Sequence, residues 1–153
     1  MSEIEKKILE MGLELPVCPV PVAQYVPAVT VENLVFVSGQ TPIVDGKLLY
    51  KGKIGHDLTT QDGYEAAKYA ALRVVAGLKS AVGDLDRVER IVKVTGYVNS
   101  DAEYLDHPKV VNGASDLIRN VFGVKGEHSR VAFGVASLPD GAAVEIDLIA
   151  YIK

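Results

Sequence analysis

The feature that most constrains this chain is a helix whose apolar stripe is mostly alanine. From about Thr60 to Val82, the residues Ala67, Ala70, Ala71, Val74, Val75, Leu78 and Val82 recur at three- and four-residue steps, the period of one helical face. Thr59 or Thr60 offers a capping hydroxyl, Asp62 puts negative charge in the first turn, and Gly83 ends the run. A stripe of methyl groups lets a helix approach a flat sheet closely, so the rest of the chain must supply that sheet. Runs rich in Val, Ile and aromatic residues at 25–30, 33–38, 87–99, 130–137 and 143–152 read as its strands. A second helix is predicted over 108–121, with Pro108 at its first position, Val110, Val111, Ala114, Leu117, Ile118 and Val121 as its stripe, and Gly123 after it.

The order is strand, strand, helix, strand, helix, strand, strand. Turns are expected at Val31-Glu32, at Asp45-Gly46 as a hairpin, and at Leu138-Pro139-Asp140-Gly141. In the strand over 87–99, Val92, Val94 and Val98 are expected on one face and Ile91, Lys93, Thr95 and Tyr97 on the other. The first dozen residues read as a short amphipathic helix with Ile4, Ile8 and Met11 or Gly12 on one face. Pro16, Pro19 and Pro21 then force an extended surface connector. The reading is one domain over 1–153, with 1–21 as an extension. Two helices cover only one face of one sheet. Apolar and small residues aimed at the other face predict that a second copy of the chain covers it.

Composition narrows the function. The chain has 153 residues, 48% of them hydrophobic and 24% charged, an ordinary globular mixture. Sixteen basic against twenty acidic residues give a net charge of −4, which disfavours general nucleic-acid binding. Cys18 is the only cysteine and cannot pair within the chain; among prolines it reads as a small hydrophobe. The start lacks the basic end and apolar run of a secretion signal, and no stretch approaches a membrane span, so a cytoplasmic protein is expected. His56, His107 and His128 are scattered without metal-ligand spacing; His107 reads as a helix-start residue, and His128 is noted only as lying two positions from Arg130. Ser38 lacks the context of a nucleophile elbow.

Two residues stand out as carriers of chemistry. Arg130 opens its strand with Ala132, Gly134 and Ala136 on its own face, leaving space around the guanidinium, while Val131, Phe133 and Val135 take the other face. Such an arginine pairs with a local acid or takes a ligand carboxylate through two parallel hydrogen bonds. Glu145 alternates with Val144 and Ile146, so it faces away from the helices, on the side of Arg130 if the last two strands form a plain hairpin. It is either part of a polar face or ion pair, or a carboxylate that orients and deprotonates water.

The ordered set of segments resembles the Rid/YjgF family, the reactive intermediate deaminases. The segment Arg130-Val-Ala-Phe-Gly-Val-Ala-Ser-Leu138-Pro139, followed by Val144-Glu145-Ile146-Asp147-Leu-Ile-Ala150, is similar to the family's C-terminal signature. Ser38-Gly39-Gln40-Thr-Pro42, Val111-Asn112 and Tyr25 resemble its upstream elements. The resemblance implies an α+β, chorismate-mutase-like fold (ββαβαββ, a mixed sheet with two helices on one face) assembled as a homotrimer with clefts between subunits. It implies hydrolysis of enamines and imines such as 2-aminoacrylate to 2-keto acids and ammonia, without metal or cofactor. Arg130 would hold the substrate carboxylate, Glu145 would activate water, and Tyr25, Ser38, Gly39 and Asn112 would line the cleft. Ala132 stands where many family deaminases have a cysteine. The expected partner is a small carboxylate or imino acid, with neither nucleic acid nor membrane. The alternatives are a trimeric carboxylate binder without turnover, an endoribonuclease, or, by fold alone, a chorismate mutase.

Overall fold

The computed structural model describes residues 1–18, 20 and 23–153, so Pro19 and Pro21 of the expected connector lie outside the described residues. The elements are α1 (Glu3–Glu10), β1 (Ala28–Val31), β2 (Leu34–Gln40), β3 (Ile43–Val44), β4 (Lys47–Leu48), α2 (Thr60–Val82), β5 (Val88–Asn99), α3 (His107–Phe122), β6 (Ser129–Val135) and β7 (Val144–Ile152). They form the expected ββαβαββ order with an N-terminal helix and a small hairpin added. That hairpin, β3–β4, turns at Asp45-Gly46, both at positive φ, where glycine carries no steric penalty. The β1–β2 turn lies at Glu32-Asn33, one residue later than expected, because Val31 pairs with Leu34.

The five-stranded sheet has the order β1-β2-β7-β5-β6. Its pairs are antiparallel except β5–β6, which are parallel and joined through α3. The last two strands are therefore not a hairpin. The Pro139-Asp140-Gly141 turn sends the chain past β5, and β7 inserts between β5 and β2, leaving β6 at the edge. A reversal signal fixes where a chain turns, not which neighbour it pairs with.

α2 and α3 pack on one face. α2 begins at a capping box in which Thr59 and Asp62 satisfy each other's backbone donors. Its fully buried Ala66, Ala67, Ala70 and Ala71 allow the close approach that the sequence implies. Val94, Val98, Val144, Ile146 and Leu148 meet the helices from the sheet. In β5 the alternation breaks at Val92. Ile91 pairs with Ala150 and Lys93 with Ile149, so one extra residue bulges out. Ile91 thereby turns into the core, contrary to the simple alternation.

α1 is integral to this core. Ile4 and Ile8 are buried, Asp86 accepts from the Glu3 and Ile4 amides, and Glu5 both completes a capping box with Ser2 and pairs with Lys79 of α2. That pairing, with the Ser2 amide, holds the Glu5 carboxyl down to about 2. Among the described residues, no helix is long and apolar enough to cross a membrane.

Candidate functional site

Arg130 pairs with Val94, whose side chain is buried under the helices, so the arginine lies on the helix-covered side of the edge strand. Its Nη1 donates to Asn112 Oδ1 at 2.8 Å and to Ser115 Oγ at 3.2 Å, both on α3. Those two bonds use both Nη1 protons. The Nε–Nη2 edge has no partner among the described residues, and no carboxylate pairs with the guanidinium there. A local acid, the alternative raised by the sequence, is therefore not what Arg130 engages within the chain. The space expected along its face is partly filled. His107 at the start of α3 packs over Gly134, where a Cβ would stand 2.6 Å from Nε2, and its ring hydrogen-bonds Ser100 at 3.1 Å.

Glu145 lies on the opposite face. Its β5 partner is Tyr97, whose ring packs edge-on against Phe133 and whose hydroxyl donates to Asp147 at 2.7 Å. Burial, then that hydrogen bond, push the Tyr97 phenol up to about 12. Glu145 is half-buried and has no hydrogen-bond partner among the described residues. Burial first, and the Asp147 charge second, raise its pKa above the ordinary carboxylate value. The expectation that Glu145 and Arg130 share a face is thus overturned. It assumed a plain hairpin, and the insertion of β7 beside β2 and β5 puts the two side chains on opposite sides of one sheet.

The remaining expected residues divide between these two places. Asn112 joins Arg130. Ser38 and Gly39 sit where β2 gains one extra residue against β7, between Val37 and Gln40. A Cβ on Gly39 would come within 3.1 Å of the Glu145 carboxyl carbon, so the glycine admits that side chain. Ser38 is turned to another use, since its hydroxyl donates to Val26 O at 2.7 Å and ties the segment before β1 to the strand. Tyr25 is about half exposed ahead of β1, and its side chain makes no hydrogen bond among the described residues. Ser115 was missed by sequence reasoning. Its signal was present: three residues after Asn112, it falls on the same helical face. Among the described residues, no cluster of His, Cys, Asp or Glu could hold a metal ion.

A mixed five-stranded sheet with two helices on one face, in the order ββαβαββ, makes this an α+β domain, and the family match gives it as chorismate-mutase-like. The chain belongs to the family described as "YjgF/chorismate mutase-like, putative endoribonuclease", whose sequence model matches residues 5–152. It is 43% identical over 149 residues to Protein TCP17 of Trypanosoma cruzi, covering 97% of this chain and 93% of that protein. It is 32% identical over 142 residues to a RutC family protein of Aquifex aeolicus (strain VF5), covering 90% and 96%. The crystal structure of Atu1372 from Agrobacterium tumefaciens, a protein of unknown function, matches with a TM-score of 0.94 at 41% identity, covering 99% of this chain and 93% of that one.

Proposed function

We propose that the protein binds small carboxylates at a cleft between copies of a homotrimer and there hydrolyses enamines or imines, 2-aminoacrylate-like, to 2-keto acids and ammonia. The observation that carries this reading is the Nε–Nη2 edge of Arg130, which has no partner among the described residues while Nη1 is fixed by α3. That edge matches a carboxylate with two parallel hydrogen bonds. Arg130 and Glu145 lie on opposite faces of one sheet, so one ligand meets both only if they come from different copies. The bare face supports such an assembly: Phe36 is 43% and Phe133 40% exposed, with Val29, Val31, Val131 and Tyr151 also open.

A protonated imine is already an electrophile, so the protein need only hold and orient. Arg130 fixes the carboxylate. Water adds to the imine carbon and gives a proton to Glu145. The carbinolamine nitrogen takes that proton back from Glu145, the C–N bond breaks to release ammonia, and Glu145 accepts the hydroxyl proton as the carbonyl forms. A carboxyl whose proton affinity is raised by burial suits this exchange. Asn112 lines the arginine end of the cleft, Ser38 and Gly39 the carboxylate end, and Tyr25 the approach. A binder without turnover is the second reading, favoured by Ala132 in place of the cysteine many family deaminases carry. The net charge of −4 and the apolar bare face weigh against RNA cleavage.

The test is keto-acid release from 2-aminoacrylate generated in situ. Acceleration that Arg130→Ala lowers by about 100-fold is expected. Saturable 2-oxobutanoate binding without acceleration would select the second reading, and neither binding nor acceleration would reject both.

A further inference from the structure

His128 lies just before β6 and is part of a hydrogen-bond chain whose direction is fixed at its far end. Its Nδ1 stands 2.6 Å from Gly126 O, a carbonyl that can only accept, so Nδ1 carries the proton. In the neutral imidazole Nε2 is then the acceptor. It stands 2.9 Å from Ser115 Oγ, and the serine hydroxyl donates to it. A hydroxyl has one proton, so toward Arg130 Nη1, at 3.2 Å, the same oxygen can only accept. Asn112 Oδ1 takes the other Nη1 proton. Both anchors are rigid. Ser115 and Asn112 sit on α3, and Gly126 packs so tightly on that helix that a Cβ there would stand 2.6 Å from the Ile118 carbonyl oxygen.

We infer that His128, acting through Ser115, is a positioning residue that sets the plane of the Arg130 guanidinium and aims its Nε–Nη2 edge at the ligand carboxylate. This rests on the reading of Arg130 as the carboxylate-binding group. Without the relay the arginine keeps its charge and its Asn112 bond but rotates about it, so ligand is held less well while the water-activating carboxylate is untouched. The effect belongs on KM and ligand affinity, not on kcat. Ser115 and His128 act as a unit, so losing both costs little more than losing one.

The experiment measures 2-oxobutanoate affinity by calorimetry, 2-aminoacrylate turnover, and imidazole nitrogen shifts by NMR. Ser115→Ala and His128→Phe are expected to weaken affinity and raise KM roughly 5- to 15-fold, with kcat within about twofold. The double variant should match the worse single one. His128→Gln, which keeps an acceptor near the Nε2 position, should recover most of the loss. In the wild type the His128 signals should show protonated Nδ1 and bare Nε2. Unchanged affinity in both Ser115→Ala and His128→Phe, while Arg130→Ala abolishes binding, would overturn the relay and leave the proposed function standing. An Nε2-protonated His128 would overturn it too, even if one variant fails to fold. Wild-type binding by Arg130→Ala would instead sink the carboxylate reading, and the relay's role with it.

Discussion

The two faces of the sheet solve opposite problems. The helix-covered face is closed by small groups. Besides the alanines of α2, Gly113 of α3 lies so close to α2 that a Cβ would overlap the Tyr64 carbonyl, and a Cβ on Gly96 of β5 would run into Val111. The bare face carries large side chains, Phe36, Phe133 and Tyr151, that the described residues leave partly open. Packing on the first face makes the monomer. The second face gains stability only from outside the chain. The same division runs through the candidate chemistry. The guanidinium on the covered side is held by hydrogen bonds, whereas the carboxyl on the bare side has no hydrogen-bond partner among the described residues, and burial, with the Asp147 charge second, makes it gain protons more readily.

This contrast can be broken at several points. The largest effect is expected from Gly113→Ala. The clash is with backbone, which cannot swing aside, so unfolding should become easier by about 2–3 kcal/mol and the melting temperature fall by roughly 5–10 °C. Calorimetry of the pure protein checks this. Phe36→Asp on the bare face should leave a folded chain, seen by its circular dichroism, but reduce the native mass by light scattering from that of the proposed trimer to one chain and abolish the proposed turnover. A variant that remains assembled would mean that this face is not the interface.

A smaller effect separates the two faces by pH. Burial raises the Glu145 pKa on folding, so at neutral pH the folded state carries a carboxylate that the unfolded state holds more cheaply. In the Phe36→Asp background, Glu145→Gln should therefore raise the melting temperature by roughly 1–3 °C at pH 7, and the gain should shrink as pH falls toward 4. Glu5 behaves with the opposite sign. Its carboxyl is depressed to about 2 by Lys79, so its contribution is present above about pH 4.5 and is lost as pH falls through 2. Lys79→Ala should cost about 0.3 kcal/mol at pH 7, the smallest effect here, and nothing once both proteins are compared below pH 2.

Local signals were legible where local physics decides. Thr59, Asp62 and Gly83 bracket α2 at the observed residues, and Asp45-Gly46 marks the small hairpin, because caps and turns are settled by near neighbours. The phase of β5 was lost at Val92, since a bulge answers to its partner strand. The common face assumed for Arg130 and Glu145 failed for the same reason: pairing partners are chosen by the whole sheet. Residue types at the candidate site were readable from the segments carrying Arg130, Asn112, Gly39 and Glu145. Ser115 was missed although its spacing from Asn112 was readable, and His128 was noted only for its nearness to Arg130, because their supporting role follows from hydrogen-bond direction, which only coordinates supply.

The placement of Arg130 and Glu145 on opposite faces has a consequence for inheritance as well as chemistry. In a ring where each cleft borrows its guanidinium from one chain and its carboxyl from the next, Arg130→Ala and Glu145→Gln injure different halves of every cleft. Either mutant ring is dead alone. When equal amounts are unfolded and refolded together, each mixed ring contains one intact cleft, so about a quarter of the wild-type activity should return. Two broken alleles would then complement each other within one gene product.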